Sequence, residues 1–448
     1  MTAGPAETVY EALLERVGEA NPRPRIEPVR RLAELAGSPQ LSFPVIQIAG
    51  TNGKTSTARA IESLLRAHGL RTGLFTSPHL VDFTERFQLD GSPISGEALA
   101  DAWQELSAPL QLVDAELAAA GQGPITFFEA LAVLAFAAFT DAPVDVAVIE
   151  VGMGGEWDAT NIATAQVAVF TPIDLDHTSI LGSDLETIAR TKAGIIKPGS
   201  TVVTAAQDPA ALEEISAAAE RHDAALSVLG RDFQLLDDRL AVGGRLITVA
   251  SITGGSYAPT FVPLFGHHQA ENATLAVAAV EAFFGGERAI SEEVLEEGFA
   301  QLVSPGRLQL IGSDPVVYVD AAHNPHGAEA LARAVAESFK FEELALVVGI
   351  LAEKDADGVL RALAPIAHRV TLTPVDSERT TDTAELLEIA QTEVPDTPVE
   401  VAESLPEALD EARAWAARSP GRGVLVVGSV VLAGEAMAFA RSEGWGTA

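Results

Sequence analysis

A lysine followed by a hydroxyl residue at the end of a glycine loop can do one kind of chemistry well, which is to hold phosphate. The chain has such a loop: an apolar run, Phe43-Pro44-Val45-Ile46-Gln47-Ile48-Ala49, leads into Gly50-Thr51-Asn52-Gly53-Lys54-Thr55-Ser56. The glycines let backbone N–H groups converge on phosphate oxygens, a following helix adds the positive end of its dipole, Lys54 adds a compact cation and Thr55 a hydroxyl for a divalent metal. The spacing departs from the usual phosphate loop because Ile48 stands where the first glycine would be, so an ordinary strand-to-helix turn is the competing reading.

Three further segments carry hard-oxygen or imidazole ligands beside strands: Thr76-Ser77-Pro78-His79-Leu80, Ile149-Glu150-Val151-Gly152-Met153-Gly154-Gly155 and Asp174-Leu175-Asp176-His177-Thr178. Glu150 ends an otherwise apolar strand, where a buried carboxylate is costly unless it is paired, hydrogen-bonded or on a metal. Oxygen donors next to phosphates suit magnesium. A structural carboxylate capping the glycine turn is the plainer alternative for Glu150, and a helix-start histidine the plainer one for His177. Six of the nine histidines (79, 177, 267, 268, 323 and 326) fall in Gly-, Pro- or Asn-flanked segments of this kind. The chain has no cysteine, which removes disulfides, thiolate nucleophiles and Cys-bound zinc together and fits a reducing cytosol.

The elements that must position these residues follow an alternating pattern. Strands are expected at Pro44–Ala49, Val144–Val151, Gln166–Thr171 and Ser200–Thr204, with helices at Lys54–His68, Glu97–Ala119, Phe127–Thr140 and Leu185–Ile195. Such alternation is the mark of βαβ units and a mostly parallel sheet, in which ligands bind at the carboxyl ends of the strands. It restarts after Pro315 with strands near Val316–Asp320, Leu344–Gly349, Arg369–Thr373 and Gly423–Gly428. Ser304-Pro305-Gly306 breaks both periodicities and is the expected hinge. The prediction is therefore an α/β chain of two domains, 1–303 and 304–448, with a β-rich insertion around Leu226–Phe265. A length of 448 residues agrees with roughly two to three domains.

The formal charge of −34, from 29 basic against 63 acidic residues, argues against nucleic acid or an anionic membrane as a partner. Only five lysines occur, at 54, 192, 197, 340 and 354, and three of them lie in or beside the motifs. The first twenty residues lack the basic start and apolar run of a signal peptide, and Ile125–Phe139 contains Glu129 and is too short to span a bilayer, so a cytoplasmic protein is expected.

Taken in order, GTNGKTS, TSPHL, FFEA, EVGMGGEWDATN, DHTSILG, KAGIIK, GHHQAEN, PGRLQ and DAAHNPHG resemble the dihydrofolate synthase/folylpolyglutamate synthase family of the Mur ligase superfamily. The likeness is dense from Gly50 to about Gly327 and thinner to Gly428-Ser429. It implies an ATP-binding domain with a modified phosphate loop, a smaller Rossmann-like C-terminal α/β domain, and an active site in the cleft between them. By that resemblance Gly50, Thr51, Asn52, Gly53, Lys54 and Thr55 hold the ATP phosphates, and Asn272, Arg307 and Asp320 contact the nucleotide. Ser77, Glu150 and His177 would bind one magnesium ion, and Lys192, carbamylated, would serve a second. The catalytic set is Lys54, Lys192, Arg307 and His323.

Thr126, Phe127, Phe128, Glu129, Trp157, Asp158 and Ala159 correspond to a pterin-side pocket, and His323 and Ser429 to positions near the incoming glutamate. Two adjacent aromatic residues suit stacking on a flat ring, but they equally suit the core of an apolar helix. The substrate loop falls at Asn21, Pro22, Arg23 and Pro24, where this chain is more Pro/Arg-rich than the family pattern. The implied activity is ATP- and magnesium-dependent joining of L-glutamate to dihydropteroate, to the glutamyl tail of a reduced folate, or to both, by a monomer. A cell-wall Mur ligase and a non-catalytic nucleotide-binding module are the two alternatives.

Overall fold

The computed structural model describes residues 4–18 and 23–446. Asn21 and Pro22 of the expected substrate loop lie outside the described residues. The chain divides into two compact units. The first comprises Met1–Arg239, Leu246–Val262 and Glu271–Leu302, and the second Leu240–Arg245, Pro263–Ala270 and Val303–Ala448. The long segment of the second unit opens one residue before Ser304-Pro305-Gly306. Two short segments from the β-rich region and from the start of a helix also group with it.

The first unit is built on eight strands: β1 Val45–Ala49, β2 Thr72–Phe75, β3 Phe87–Leu89, β4 Ser92–Pro93, β5 Val146–Glu150, β6 Val167–Phe170, β7 Thr201–Thr204 and β8 Ala225–Val228. Their spatial order is β4-β3-β2-β5-β1-β6-β7-β8. The pairs β2–β5, β5–β1, β1–β6, β6–β7 and β7–β8 are parallel, whereas β3 and β4 return antiparallel at one edge. Every residue of β1 and β5 is buried, as a parallel strand covered on both faces should be. The four strands expected here are present, their ends shifted by no more than two residues. β2 and β8 escaped notice because TGLF and ALSV are too short and too mixed to show a period.

Register explains the site. Ile48 pairs with both Glu150 and Val169, so β1, β5 and β6 end side by side and their following loops share one edge. The helix Lys54–Ala67 starts directly from the glycine loop. Helix Phe127–Asp141 is buried nearly all round, and Thr126 and Glu129 form a capping box at its start. Phe136 and Phe139 are 1% and 0% exposed, each worth about 1.5–3 kcal/mol of burial, which seats the body of this helix in the core.

Three strands of the β-rich region, β9 Gln234–Ala241, β10 Gly244–Ala250 and β11 Thr260–Val262, form a separate sheet in the order β11-β10-β9. The second unit's sheet contains β12 Gln309–Ser313, β13 Val316–Val319, β14 Glu343–Val348, β15 Arg369–Leu372, β16 Val399–Val401 and β17 Arg422–Val427. The order is β12-β13-β17-β14-β15-β16, with only β12 antiparallel to its neighbour. No helix among the described residues is long and apolar enough to cross a membrane.

Candidate active site

The loop after β1 is held from two directions. Thr51 and Asn52 donate their backbone N–H groups to the Pro172 carbonyl at 2.9 and 3.4 Å. The Thr51 hydroxyl donates to Asp174 O at 2.9 Å and accepts from Asp174 N at 3.0 Å. The chain leaving β6 is thereby laced to the phosphate loop, and His177 follows three residues later. His177 has φ of 51°, in the left-handed region, and starts the short helical turn Thr178–Leu181. Sequence reasoning did not find Pro172, because a carbonyl acceptor leaves no mark in side-chain type.

Two glycines are required by contact as well as by conformation. Gly50 has φ of 149°, and a Cβ there would lie 1.9 Å from Thr171 Oγ1. Gly53 has φ of 85°, and a Cβ would lie 2.6 Å from Asn272 Oδ1. Both positions exclude a side chain, and the second puts the buried Asn272 amide directly over the loop, although 219 residues separate the two in sequence.

At the end of β5 Glu150 is 1% exposed. Thr55 Oγ1 donates to its two oxygens at 3.0 Å each, and Ser77 N approaches Oε2 at 3.4 Å. A hydroxyl from the phosphate helix and the backbone of the TSPHL loop thus meet on one buried carboxylate. Lys192 reaches the same corner from helix Leu185–Ala193. Gly155 approaches that helix so closely that a Cβ would lie 2.5 Å from Lys192 O, and Glu156 N donates to Thr191 O at 2.8 Å. Lys192 Nζ donates to Gly50 O at 2.8 Å. Burial, and then the neighbouring charge of Lys54, push its amine down to about 7, so a large share of it is neutral at physiological pH.

The residues of the pterin-side segment divide. Phe127 is buried, edge-on to Tyr10 at 6.2 Å and under the Arg86 guanidinium at 5.5 Å, and serves as core. Phe128 is half-buried and its ring lies on Gly152, where a Cβ would meet it at 2.4 Å, two residues past Glu150. Glu129 is 5% exposed and committed to Arg25 and to the Thr126 backbone. Asp158 is buried and accepts from Met153 N, Thr160 N and the Thr160 hydroxyl at 2.9, 2.9 and 2.6 Å. Thr160 in turn takes the Gln47 amide at 3.0 Å. Burial raises the Asp158 carboxyl above its ordinary value against these donors. Trp157 is half-buried and, like Met153, packs against the core cluster that includes Leu181 and Ile188, and Ala159 is buried. Of the Pro/Arg-rich loop, Arg23 lies against Gly123, where a Cβ would sit 2.0 Å from its Nη1, and Pro24 is exposed.

In the second unit, Asp320 follows β13 and accepts from Leu308 N and Ala322 N at 2.8 Å each. Burial raises its carboxyl, opposed first by the charge of Arg307. His323 Nδ1 contacts Ala321 O at 2.9 Å. Ser429 caps helix Val430–Ser442 by accepting from Val431 N at 3.1 Å, and Gly428 N donates to Ala322 O at 3.0 Å, so the ends of β13 and β17 are tied. His268 is pushed down to about 4 by burial and then by the charge of Arg307 and neighbouring histidines, and is neutral at pH 7.

A family model of the Mur ligase middle domain matches residues 48–280, and one of the Mur ligase glutamate ligase domain matches residues 306–430. The matched segments, the parallel sheet and the loop define a Mur-type, ATP-dependent ligase. The Mycobacterium tuberculosis dihydrofolate synthase/folylpolyglutamate synthase is 43% identical over 93% of this chain and 90% of that protein. The solved Mycobacterium tuberculosis folylpolyglutamate synthase complexed with ADP superimposes with a TM-score of 0.92 at 42% identity, covering 97% of this chain and 98% of the other. Escherichia coli FolC in complex with DHPP and ADP does so with a TM-score of 0.85 at 30% identity, covering 99% of each. The chain belongs to the dihydrofolate synthase/folylpolyglutamate synthase family.

Proposed function

We propose that this protein uses ATP to join L-glutamate to the carboxylate of dihydropteroate, to the glutamyl tail of a reduced folate, or to both. The observation that carries this reading is the convergence on Glu150 of Thr55 from the phosphate helix and Ser77 from the TSPHL loop, with Lys54 and Lys192 both reaching Gly50. This convergence supports a reading in which the glycine loop takes phosphate and Glu150 takes a metal at the carboxyl ends of neighbouring strands, with the half-buried Phe128 ring on Gly152 beside them.

A carboxylate is a poor acyl donor at neutral pH. Attack of its oxygen on the γ-phosphorus of ATP releases ADP and leaves an acyl phosphate. Attack of the glutamate amine on the acyl carbon then forms the amide and expels phosphate. In this scheme Thr51 to Thr55 orient the phosphates, Lys54 offsets the charge that moves during transfer, and Asn272 closes over Gly53. Arg307, Asp320, His323 and Ser429 are assigned to nucleotide and glutamate on the strength of the resemblance.

The residues present fit magnesium. The buried Glu150 carboxylate, met by the Thr55 hydroxyl and by Ser77 N, supplies a hard oxygen donor, while the Ser77 hydroxyl and the softer His177 imidazole are assigned beside it by the resemblance; magnesium characteristically keeps water and phosphate ligands of its own. When bound it would supply charge neutralisation at the transferring phosphate. Lys192, once carbamylated, would add a second oxygen donor set.

The test is phosphate release that requires ATP, glutamate and an acceptor together, measured with dihydropteroate and with tetrahydrofolate side by side. Lys54→Ala is expected to abolish it. Turnover of Lys54→Ala near that of the wild type, or release independent of any acceptor, would overturn the reading.

A further inference from the structure

Arg25 makes four side-chain hydrogen bonds to a segment about a hundred residues further along the chain. Its Nε donates to Glu129 Oε1 at 2.8 Å, and Nη2 donates to Glu129 Oε2 at 2.8 Å and to Pro124 O at 2.7 Å. Nη1 donates to Gly123 O at 2.9 Å. One planar guanidinium therefore makes a two-pronged pair with a carboxylate and takes two carbonyls beyond it, a geometry that an ammonium cannot reproduce. The pair is largely shielded, with side-chain exposures of 18% and 7%.

The far side of this contact is the first turn of helix Phe127–Asp141. Glu129 also accepts from Thr126 N at 2.7 Å, and Thr126 Oγ1 accepts from Glu129 N at 3.3 Å. A capping box alone would satisfy those helix ends. The added guanidinium ties the carboxylate, and through it the cap, to the carbonyls of Gly123 and Pro124. One position before Glu129 is Phe128, whose ring lies on Gly152 just past Glu150. Arg16 reinforces the same segment: it donates to Asp114 Oδ2 at 3.1 Å and to Ile125 O at 2.9 Å, while Phe127 N donates to Val17 O at 2.9 Å.

We propose that Arg25 is a positioning residue for the acceptor pocket, holding the Thr126–Glu129 turn so that the Phe128 ring stays in register with Gly152 and the end of β5. It acts through Glu129 and touches no reacting atom. The proposal rests on the reading that Phe128 and its neighbours receive the pterin-bearing acceptor. Loosening the turn misplaces an aromatic surface used by that substrate alone, so the cost falls on acceptor binding and spares ATP.

The experiment compares the wild type with Arg25→Lys, which keeps the charge and loses the fork, and with Glu129→Gln, which keeps an acceptor for the Thr126 N–H and loses the charged partner. KM for acceptor, ATP and glutamate, kcat, and melting temperature are measured for each. The expected result is a rise of about tenfold in KM for the acceptor in Arg25→Lys, with KM for ATP within about twofold of wild type and a melting temperature shifted by only a few degrees. Glu129→Gln is expected to show the same split. An unchanged acceptor KM in a folded Arg25→Lys, or equal changes for acceptor and ATP, overturns the proposal, as does unfolding of both variants, which would make the pair purely structural. If the wild type shows no acceptor-dependent turnover, the acceptor reading itself falls and this proposal falls with it; turnover in the wild type with an unaltered acceptor KM in the variants removes only the proposal.

Discussion

Lys54 and Lys192 donate to the same acceptor, the Gly50 carbonyl oxygen, at 3.2 and 2.8 Å. Two amines brought together in a buried corner cannot both carry a charge cheaply. Burial first, and then the neighbouring charge of Lys54, push the Lys192 amine down to about 7.

A neutral buried amine is the form that combines with carbon dioxide, so Lys192 is expected to be carbamylated in the active enzyme. Protonation competes with the reaction, and ligation should therefore increase with pH through about 7 and respond to added bicarbonate. Lys192→Ala and Lys192→Arg should both be inactive, since neither forms a carbamate, and acetate should partly rescue the alanine variant alone. Carbon-13 NMR with labelled bicarbonate checks this directly: a carbamate resonance present in the wild type and missing from Lys192→Ala is the expected pattern. Full activity of Lys192→Arg would exclude it.

The phosphate loop makes a steric prediction. Gly50→Ala and Gly53→Ala each force a side chain against Thr171 or Asn272 in a conformation that L-residues rarely adopt. Both should lose ATP affinity by at least about tenfold and lower the melting temperature. Gly69 is the control, with φ of 81° and nothing within 4 Å of an added Cβ. Gly69→Ala should cost about 1–2 kcal/mol of conformational strain and leave ATP binding intact. Calorimetric titration with a non-hydrolysable ATP analogue, run beside thermal melts, separates the two effects; an equal loss of affinity in Gly69→Ala would refute the steric account.

A third prediction concerns Glu281, which is 0% exposed in helix His267–Phe283. It accepts from the hydroxyls of Ser251 and Tyr257 and from Ile252 N at 3.2 Å, and the Tyr257 hydroxyl accepts from Ile290 N at 2.9 Å. Burial raises its carboxyl above the ordinary 4.5 in spite of these donors. The folded chain then holds a proton that the unfolded chain has released, so this group's stabilising contribution is complete below about 4.5 and declines as pH rises through the folded value. Glu281→Gln, neutral at every pH, should flatten that part of the melting-temperature profile. An unchanged profile in a folded Glu281→Gln would show that Glu281 is ionised in the native state.

Short-range chemistry could be read directly from the order of residues. The Gly50–Thr55 loop, the strand that ends at Glu150, and the alternation of β1, β5, β6 and β7 with helices are local patterns, because a turn's glycines and a buried strand's apolar run depend on neighbours a few positions away. Phe127 and Phe128 mark where such reading stops. Adjacent in a helix, they point in directions that differ by about 100°, and only the packing of Tyr10 and Arg86 on one and Gly152 on the other separates core from candidate pocket wall. From sequence Glu129 reads as a pocket residue, yet its partner Arg25 lies 104 positions away. Thr55 meets Glu150 across 95 residues, Thr51 meets Asp174 across 123, and Lys192 meets Gly50 across 142. Those pairings depend on the order in which the strands lie in the sheet, and that order was decided by packing free energy summed over the whole first unit, which no local stretch of sequence carries.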